Sequence, residues 1–117
     1  MPYEEALTRA FNDKFYCTSS HMIWIGERTR QLDGAHVEFF RGIQNPVGVK
    51  VSNKITAEDF YELVTLLNPQ NESGKLLVIV RMGKDLIHSK LDELISMKKK
   101  EGLNFLFVTD PMHGNTY

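Results

Sequence analysis

The sequence predicts an α/β protein on a parallel sheet, about four strand–helix units of a TIM-type (β/α)8 barrel. Three observations carry this. Short apolar runs recur at roughly regular spacing, at Met22–Ile25, Pro46–Val51, Leu76–Val80 and Leu103–Val108. Segments with helical spacing stand between them, the alternation that βαβ units require. Each run also hands over to polar or charged residues at its C-terminal end: Glu27 and Arg28, then Lys50, then Arg81, then Asp110 with His113. Ligands bind at that end both in barrels and in open α/β sheets. The crossovers between parallel strands should be right-handed.

The lead-in, residues 1–20, carries weak helical spacing over Pro2–Phe11, with Ala6, Leu7, Ala10 and Phe11 on one side. Phe15 and Tyr16 are expected to pack against the body. Cys17 could serve as nucleophile or metal ligand, but a small, semi-buried thiol is the simpler reading. His21 reads as a packed, hydrogen-bonded histidine at a strand entry rather than an active-site imidazole.

Met22–Ile25 is the first strand. It breaks at Gly26 and releases Glu27, Arg28 and Arg30 into a loop. A glycine lets backbone approach a ligand, and guanidinium forks match phosphate or carboxylate oxygens. Gly34–Ile43 reads as a short helix stopped at Asn45-Pro46, because the residue before proline disfavours helix. In Pro46–Val51, Val47, Val49 and Val51 alternate with Gly48 and Lys50. Lys50 has apolar neighbours and no carboxylate nearby in sequence, which points to an anionic ligand.

Thr56 caps a helix that runs to about Leu67, with Asp59 in the capping-box position and Phe60, Leu63, Val64 and Leu67 on one face. Asn68-Pro69 ends it, and Asn71–Gly74 is a turn. Leu76–Val80 is continuously apolar, as a strand buried on both faces would be. Asp85–Lys100 is the longest helical pattern. Leu91, Leu94 and Ile95 are expected on its core face, Lys98–Lys100 form a solvated last turn, and Gly102 stops it. Leu103–Val108 is the fourth strand. Asp110, just beyond it, could orient the histidine loop, but capping the turn before Pro111 is the simpler role.

Composition narrows the function classes. The chain has 117 residues, 42% of them hydrophobic and 25% charged, which reads as one globular domain. Lys plus Arg number 14 against 15 for Asp plus Glu, so bulk charge does not recommend a nucleic-acid partner and an anion site must be local. The single cysteine excludes an internal disulfide and fits a reducing compartment. No apolar run approaches the roughly 20 residues that span a bilayer, so no membrane partner is expected, and no signal-peptide pattern opens the sequence.

Three stretches then resemble a known family: WIGERTRQLDGAHVEFFRGIQNPVGVKVSNK from Trp24 to Lys54, RMG at Arg81–Gly83, and DPMHGNT at Asp110–Thr116. They are similar to class II 3-deoxy-D-arabino-heptulosonate 7-phosphate (DAHP) synthase, and the resemblance extends back to PYEEALTR at Pro2. That family joins phosphoenolpyruvate to erythrose 4-phosphate in the shikimate pathway, on a (β/α)8 barrel several times longer than this chain. The resemblance therefore implies that residues 1–117 are a single central-to-late barrel segment of a longer synthase domain. It implies phosphoenolpyruvate contacts from Trp24, Glu27, Arg28, Lys50 and Arg81, with Arg28 and Lys50 catalytic and Trp24 beside the site as a wall.

It further implies that His113 binds the catalytic divalent metal, manganese or cobalt (Mn2+ or Co2+). The family's cysteine ligand does not match Cys17, and its glutamate and aspartate would fall past Tyr117. The metal would polarise the aldehyde of erythrose 4-phosphate for attack by the phosphoenolpyruvate methylene carbon; water then adds and phosphate leaves. A cytoplasmic homo-oligomer is expected, plastidial if the source is a plant. The alternative is a non-catalytic module or degenerate paralogue that keeps affinity for phosphoenolpyruvate or a sugar phosphate. A Schiff-base aldolase is disfavoured, since no lysine signature for one is present.

Overall fold

A computed structural model describes residues 1–116. The chain opens on a short helix, α1 (Pro2–Ala6), and a hairpin of β1 (Thr8–Phe11) and β2 (Lys14–Cys17). It continues through β3 (Ile23–Ile25), a 3-10 turn over Glu27–Thr29, α2 (Ala35–Arg41), β4 (Val47–Val51), α3 (Ala57–Leu67), β5 (Leu76–Val80), α4 (Ile87–Glu101) and β6 (Leu106–Thr109). The α/β class and the parallel sheet are as expected. β3, β4, β5 and β6 pair in that order, all parallel, and the sheet is open.

Alternation along the strands decides what each face meets. Ile23, Ile25, Val47, Val49, Val51, Leu76, Val78 and Val80 are buried, packed with Val37 and Phe40 of α2, Phe60, Leu63, Val64 and Leu67 of α3, and Leu94 of α4. The opposite face carries Trp24, Gly48, Leu77 and Leu106 in one row and Lys50, Ile79 and Val108 in the next. It is open: Trp24 is 57% exposed, Leu106 58% and Val108 40%. The expectation that β5 is buried on both faces is therefore corrected. Leu77 and Ile79 are only half-covered, because the helices lie over one side of the sheet.

α3 follows its sequence signals. Thr56 Oγ1 accepts the Asp59 N–H at 3.1 Å, and the predicted apolar face is the buried one. α4 ends at Gly102 in the left-handed conformation (φ 63°), where the N–H groups of Gly102 and Leu103 both reach Lys98 O. Its core face is narrower than the periodicity suggested, with Leu94 buried and Leu91 and Ile95 half-buried. Lys98 is not a solvated end: it donates to Phe105 O at 2.6 Å and sits 4.9 Å above the Phe105 ring. Phe105 in turn packs edge-on to Phe60 and Phe107, so the chain after α4 is a packed turn and β6 starts at Leu106.

The lead-in departs most from expectation. Helix stops at Ala6, and Asn12 and Asp13, both at positive φ (50° and 60°), turn the chain into the β1–β2 hairpin. Two-residue loops of this kind match the strand twist and favour Asn and Asp. Asn45 fastens the hairpin to the sheet. Its Oδ1 accepts the Cys17 N–H at 2.8 Å, and its Nδ2 donates to the carbonyls of Cys17 and Ser20 at 2.8 and 3.1 Å. No helix among the described residues is long and apolar enough to cross a membrane.

Candidate functional site

At the C-terminal ends of the strands a cleft of about 550 Å³ is lined by Trp24, Gly26, Glu27, Arg28, Thr29, Lys50, Arg81 and His113. All six residues singled out from the sequence border it. Their routes there differ. Trp24 comes from the open sheet face of β3, and Gly48 opposite makes its seat: a Cβ at Gly48 would come within 2.9 Å of Trp24 Cβ and 3.0 Å of Ile79 Cδ1. Lys50 projects two positions further along the same face, and Arg81 follows β5 directly.

The loop after β3 separates its two arginines by role. Arg30 turns inward and meets Glu27 Oε1 at 3.0 Å. Arg28 is exposed and makes no ion pair among the described residues. Glu27 lies in the cleft wall; its Oε1 also accepts Ser52 Oγ–H at 2.7 Å, while its buried Oε2 has no hydrogen-bond partner among the described residues. Glu27 thus ties the β3 loop to the end of β4. Through Oε1 the side chain braces the loop that presents Arg28. Ser52 went unnoticed in the sequence; its only signal was a hydroxyl immediately after β4.

Lys50 has a carboxylate partner after all. Asp110 Oδ2 lies 2.5 Å from Lys50 Nζ, although 60 positions separate the two in sequence. Asp110 also caps its own turn, with Oδ1 accepting the Met112 and His113 N–H groups at 3.2 Å each, and Oδ2 lies 2.8 Å from His113 Nδ1. The turn cap expected there is present, and the contact with the histidine ring is present as well. The Lys50 ammonium, before any other neighbour, holds the Asp110 carboxyl well below the usual carboxylate range; burial opposes it, and the His113 and Met112 contacts assist.

Two glycines lock the β5 and β6 loops together. A Cβ on Gly83 would meet Gly114 O at 2.8 Å, and one on Gly114, at φ 87°, would meet Gly83 N at 2.9 Å. Asn115 closes the joint, accepting the Lys84 N–H at 2.9 Å and donating to Pro111 O at 3.1 Å. This backbone-to-backbone approach fixes Arg81 and His113 on the same rim.

Cys17 and His21 lie elsewhere, in a hollow beside Asn45 and Pro46, where the strands begin. Cys17 is a structural thiol, more deeply buried than the semi-buried one expected, and lies 3.0 Å from Ser19 Oγ. His21 is exposed, which corrects the reading of it as a packed, hydrogen-bonded strand-entry histidine. Among the described residues no three His, Cys, Asp or Glu side chains gather as a metal site. His113 has the carboxylate-backed Nδ1 typical of a metal ligand, but Asp110 is committed to Lys50 and the turn, so this chain offers one donor and does not by itself fit an ion.

The sequence profile described as the class-II DAHP synthetase family matches residues 1–117. A protein of Catharanthus roseus named as a probable chloroplastic phospho-2-dehydro-3-deoxyheptonate aldolase is 52% identical over 118 residues, covering 99% of this chain and 24% of its own length. The phospho-2-dehydro-3-deoxyheptonate aldolase of Streptomyces coelicolor is 49% identical, over all of this chain and 26% of its own length. That of Mycolicibacterium smegmatis is 43% identical, over all of this chain and 27% of its own. The chain spans about a quarter of the length of these curated relatives.

Proposed function

The chain belongs to the class-II DAHP synthetase family, and from that premise we propose that it is the phosphoenolpyruvate-gripping segment of a 3-deoxy-7-phosphoheptulonate synthase, with residues 1–117 a single stretch of the longer barrel. One observation supports this above the others: Arg28, Lys50 and Arg81 share a cleft at the strand C-termini. Phosphoenolpyruvate carries a phosphate and a carboxylate, and two guanidinium forks and an ammonium can neutralise and orient both. Arg28 is the principal cation. Lys50 keeps two of its three donors for ligand while Asp110 takes the third. Trp24 walls the site, and Glu27 holds the Arg28 loop. Holding the substrate in one orientation is where the catalytic contribution of Arg28 and Lys50 arises.

The second substrate is erythrose 4-phosphate. His113 would give one ligand to a divalent metal, Mn2+ or Co2+, whose other ligands come from outside these residues; when bound, that ion supplies Lewis-acid polarisation of the aldehyde. The proposed place of action is the cytoplasm, or the plastid in a plant. In a full-length synthase carrying this segment, replacing Arg28, Lys50 or Arg81 by Ala should each cost about 2–5 kcal/mol in kcat/KM for phosphoenolpyruvate, the range for loss of a buried charge partner. Unchanged phosphoenolpyruvate kinetics in all three would refute the reading.

A further inference from the structure

A separate cavity of about 380 Å³ lies between the loop after β3, with Glu27, Arg30 and Asp33, and the first turns of α3, with Asp59 and Leu63. Two buried atoms of its lining residues have no hydrogen-bond partner among the described residues: Glu27 Oε2 and Arg30 Nε. They belong to an ion pair that is only half made. Arg30 Nη2 meets Glu27 Oε1 at 3.0 Å, and Ser52 Oγ–H is given to the same oxygen at 2.7 Å. The second carboxylate oxygen and the second guanidinium nitrogen are left over. Buried polar groups are rarely left without a partner, because each then bears its full desolvation cost. Glu27 also lines the anion cleft, so one side chain forms a wall of both spaces.

The two leftover atoms define what fits between them. A carboxylate oxygen accepts and an arginine Nε–H donates, so the occupant must do both, as a hydroxyl does. An anion would face the carboxylates of Glu27, Asp33 and Asp59 together, and a cation would leave the Arg30 N–H without an acceptor. The space is larger than one water, whose share of liquid volume is about 30 Å³, and Leu32 and Leu63 offer apolar wall to carbon atoms. We propose that this cavity is a hydroxyl-binding site: one oxygen, of a water or of a small neutral polyol, donates to Glu27 Oε2 and accepts from Arg30 Nε–H. The occupant completes the brace that Oε1 begins, and steadies the loop carrying Arg28. None of this depends on which anion the cleft takes.

The test is a crystal structure of a full-length synthase carrying this segment, grown without polyol and again in glycerol. The expected result is an oxygen atom within hydrogen-bond distance of both Glu27 Oε2 and Arg30 Nε. A water that stays in glycerol identifies water as the occupant, and its replacement by a glycerol hydroxyl identifies a polyol site; either sustains the proposal. An empty cavity, a direct Nε–Oε2 contact, or a side chain from outside these residues filling the space overturns it. Arg30→Lys supplies the second measurement, since it keeps a cation for Oε1 but has no counterpart of Nε–H. The bridging oxygen should be lost, and amide hydrogen exchange over residues 26–34 should be faster than in the native enzyme. Unchanged exchange overturns the bracing role. Both measurements are made without phosphoenolpyruvate. A cleft that ignores phosphoenolpyruvate would defeat the proposed function and leave the bridging oxygen standing, whereas an empty cavity beside intact phosphoenolpyruvate binding would remove only the hydroxyl site.

Discussion

Single residues in this chain were legible when their partners were close in sequence. Thr56 and Asp59 stand three apart, and the cap they form is the one their spacing announces. Lys50 shows the converse. Its apolar flanks and its place on a strand were readable, but its carboxylate partner comes from a different strand–helix unit and had no local signal. Glu27 was placed at the phosphoenolpyruvate site by the family resemblance; its bonds to Arg30 and Ser52 depend on how β4 lies beside that loop. Gly48 gives a prediction at this scale. Gly48→Ala would push a methyl group against Trp24 Cβ, an atom that cannot move without the strand. Destabilisation of about 1–3 kcal/mol is expected, the usual cost of overpacking, read as a lower urea midpoint with a shifted Trp24 emission. An unchanged midpoint would show that the indole seat is looser than these distances imply.

At the scale of elements, apolar runs and helical spacing recovered the four parallel strands and the three crossover helices; β3, β4, β5 and the helices bury a face, while β6 was legible only as an apolar run. Helical spacing failed at the lead-in, where Ala6, Leu7, Ala10 and Phe11 mimic a helical stripe. There the turn residues Asn12 and Asp13 decide, and the hairpin gains its footing from Asn45, 28 residues beyond Cys17. Asn45 is buried and serves both as donor and as acceptor, so Asn45→Ala would strand the Cys17 N–H and carbonyl. A loss of about 1–3 kcal/mol is expected for polar groups left unpaired, seen as earlier chemical unfolding. The glycine joint between the β5 and β6 loops makes a second element-level prediction. Gly114→Ala meets both a positive φ and the Gly83 backbone, so it should cost more than the same change at Gly74, where φ is also positive but nothing lies within 4 Å. Equal effects at both sites would argue against a locked joint.

For the whole molecule, four parallel strands do not close a barrel, and that much followed from counting strands in the sequence. β3 and β6 are free edges of the sheet, and its open face carries Trp24, Leu106 and Val108. Exposed edges and a contiguous apolar face favour association. The isolated chain is expected to pair with a second copy through these surfaces, or to be marginally stable and aggregate. Sedimentation at micromolar concentration should show dimer or larger species, and a sharp, cooperatively unfolding monomer would show that the chain covers its own edges. The isolated chain is also expected to make no heptulosonate phosphate with metal added, since one histidine does not hold a catalytic ion.

The central claim is that Arg28, Lys50 and Arg81 act together on one anionic substrate, and the chain carries its own reporter for it. Trp24 is the sole tryptophan and lines the same cleft. Titration of phosphoenolpyruvate into the 117-residue chain, followed by Trp24 fluorescence, is the most direct measurement. The account predicts a saturable change that Arg28→Ala, Lys50→Ala and Arg81→Ala each weaken and that added salt diminishes. No saturable change, or one that persists unaltered through all three substitutions, would contradict it.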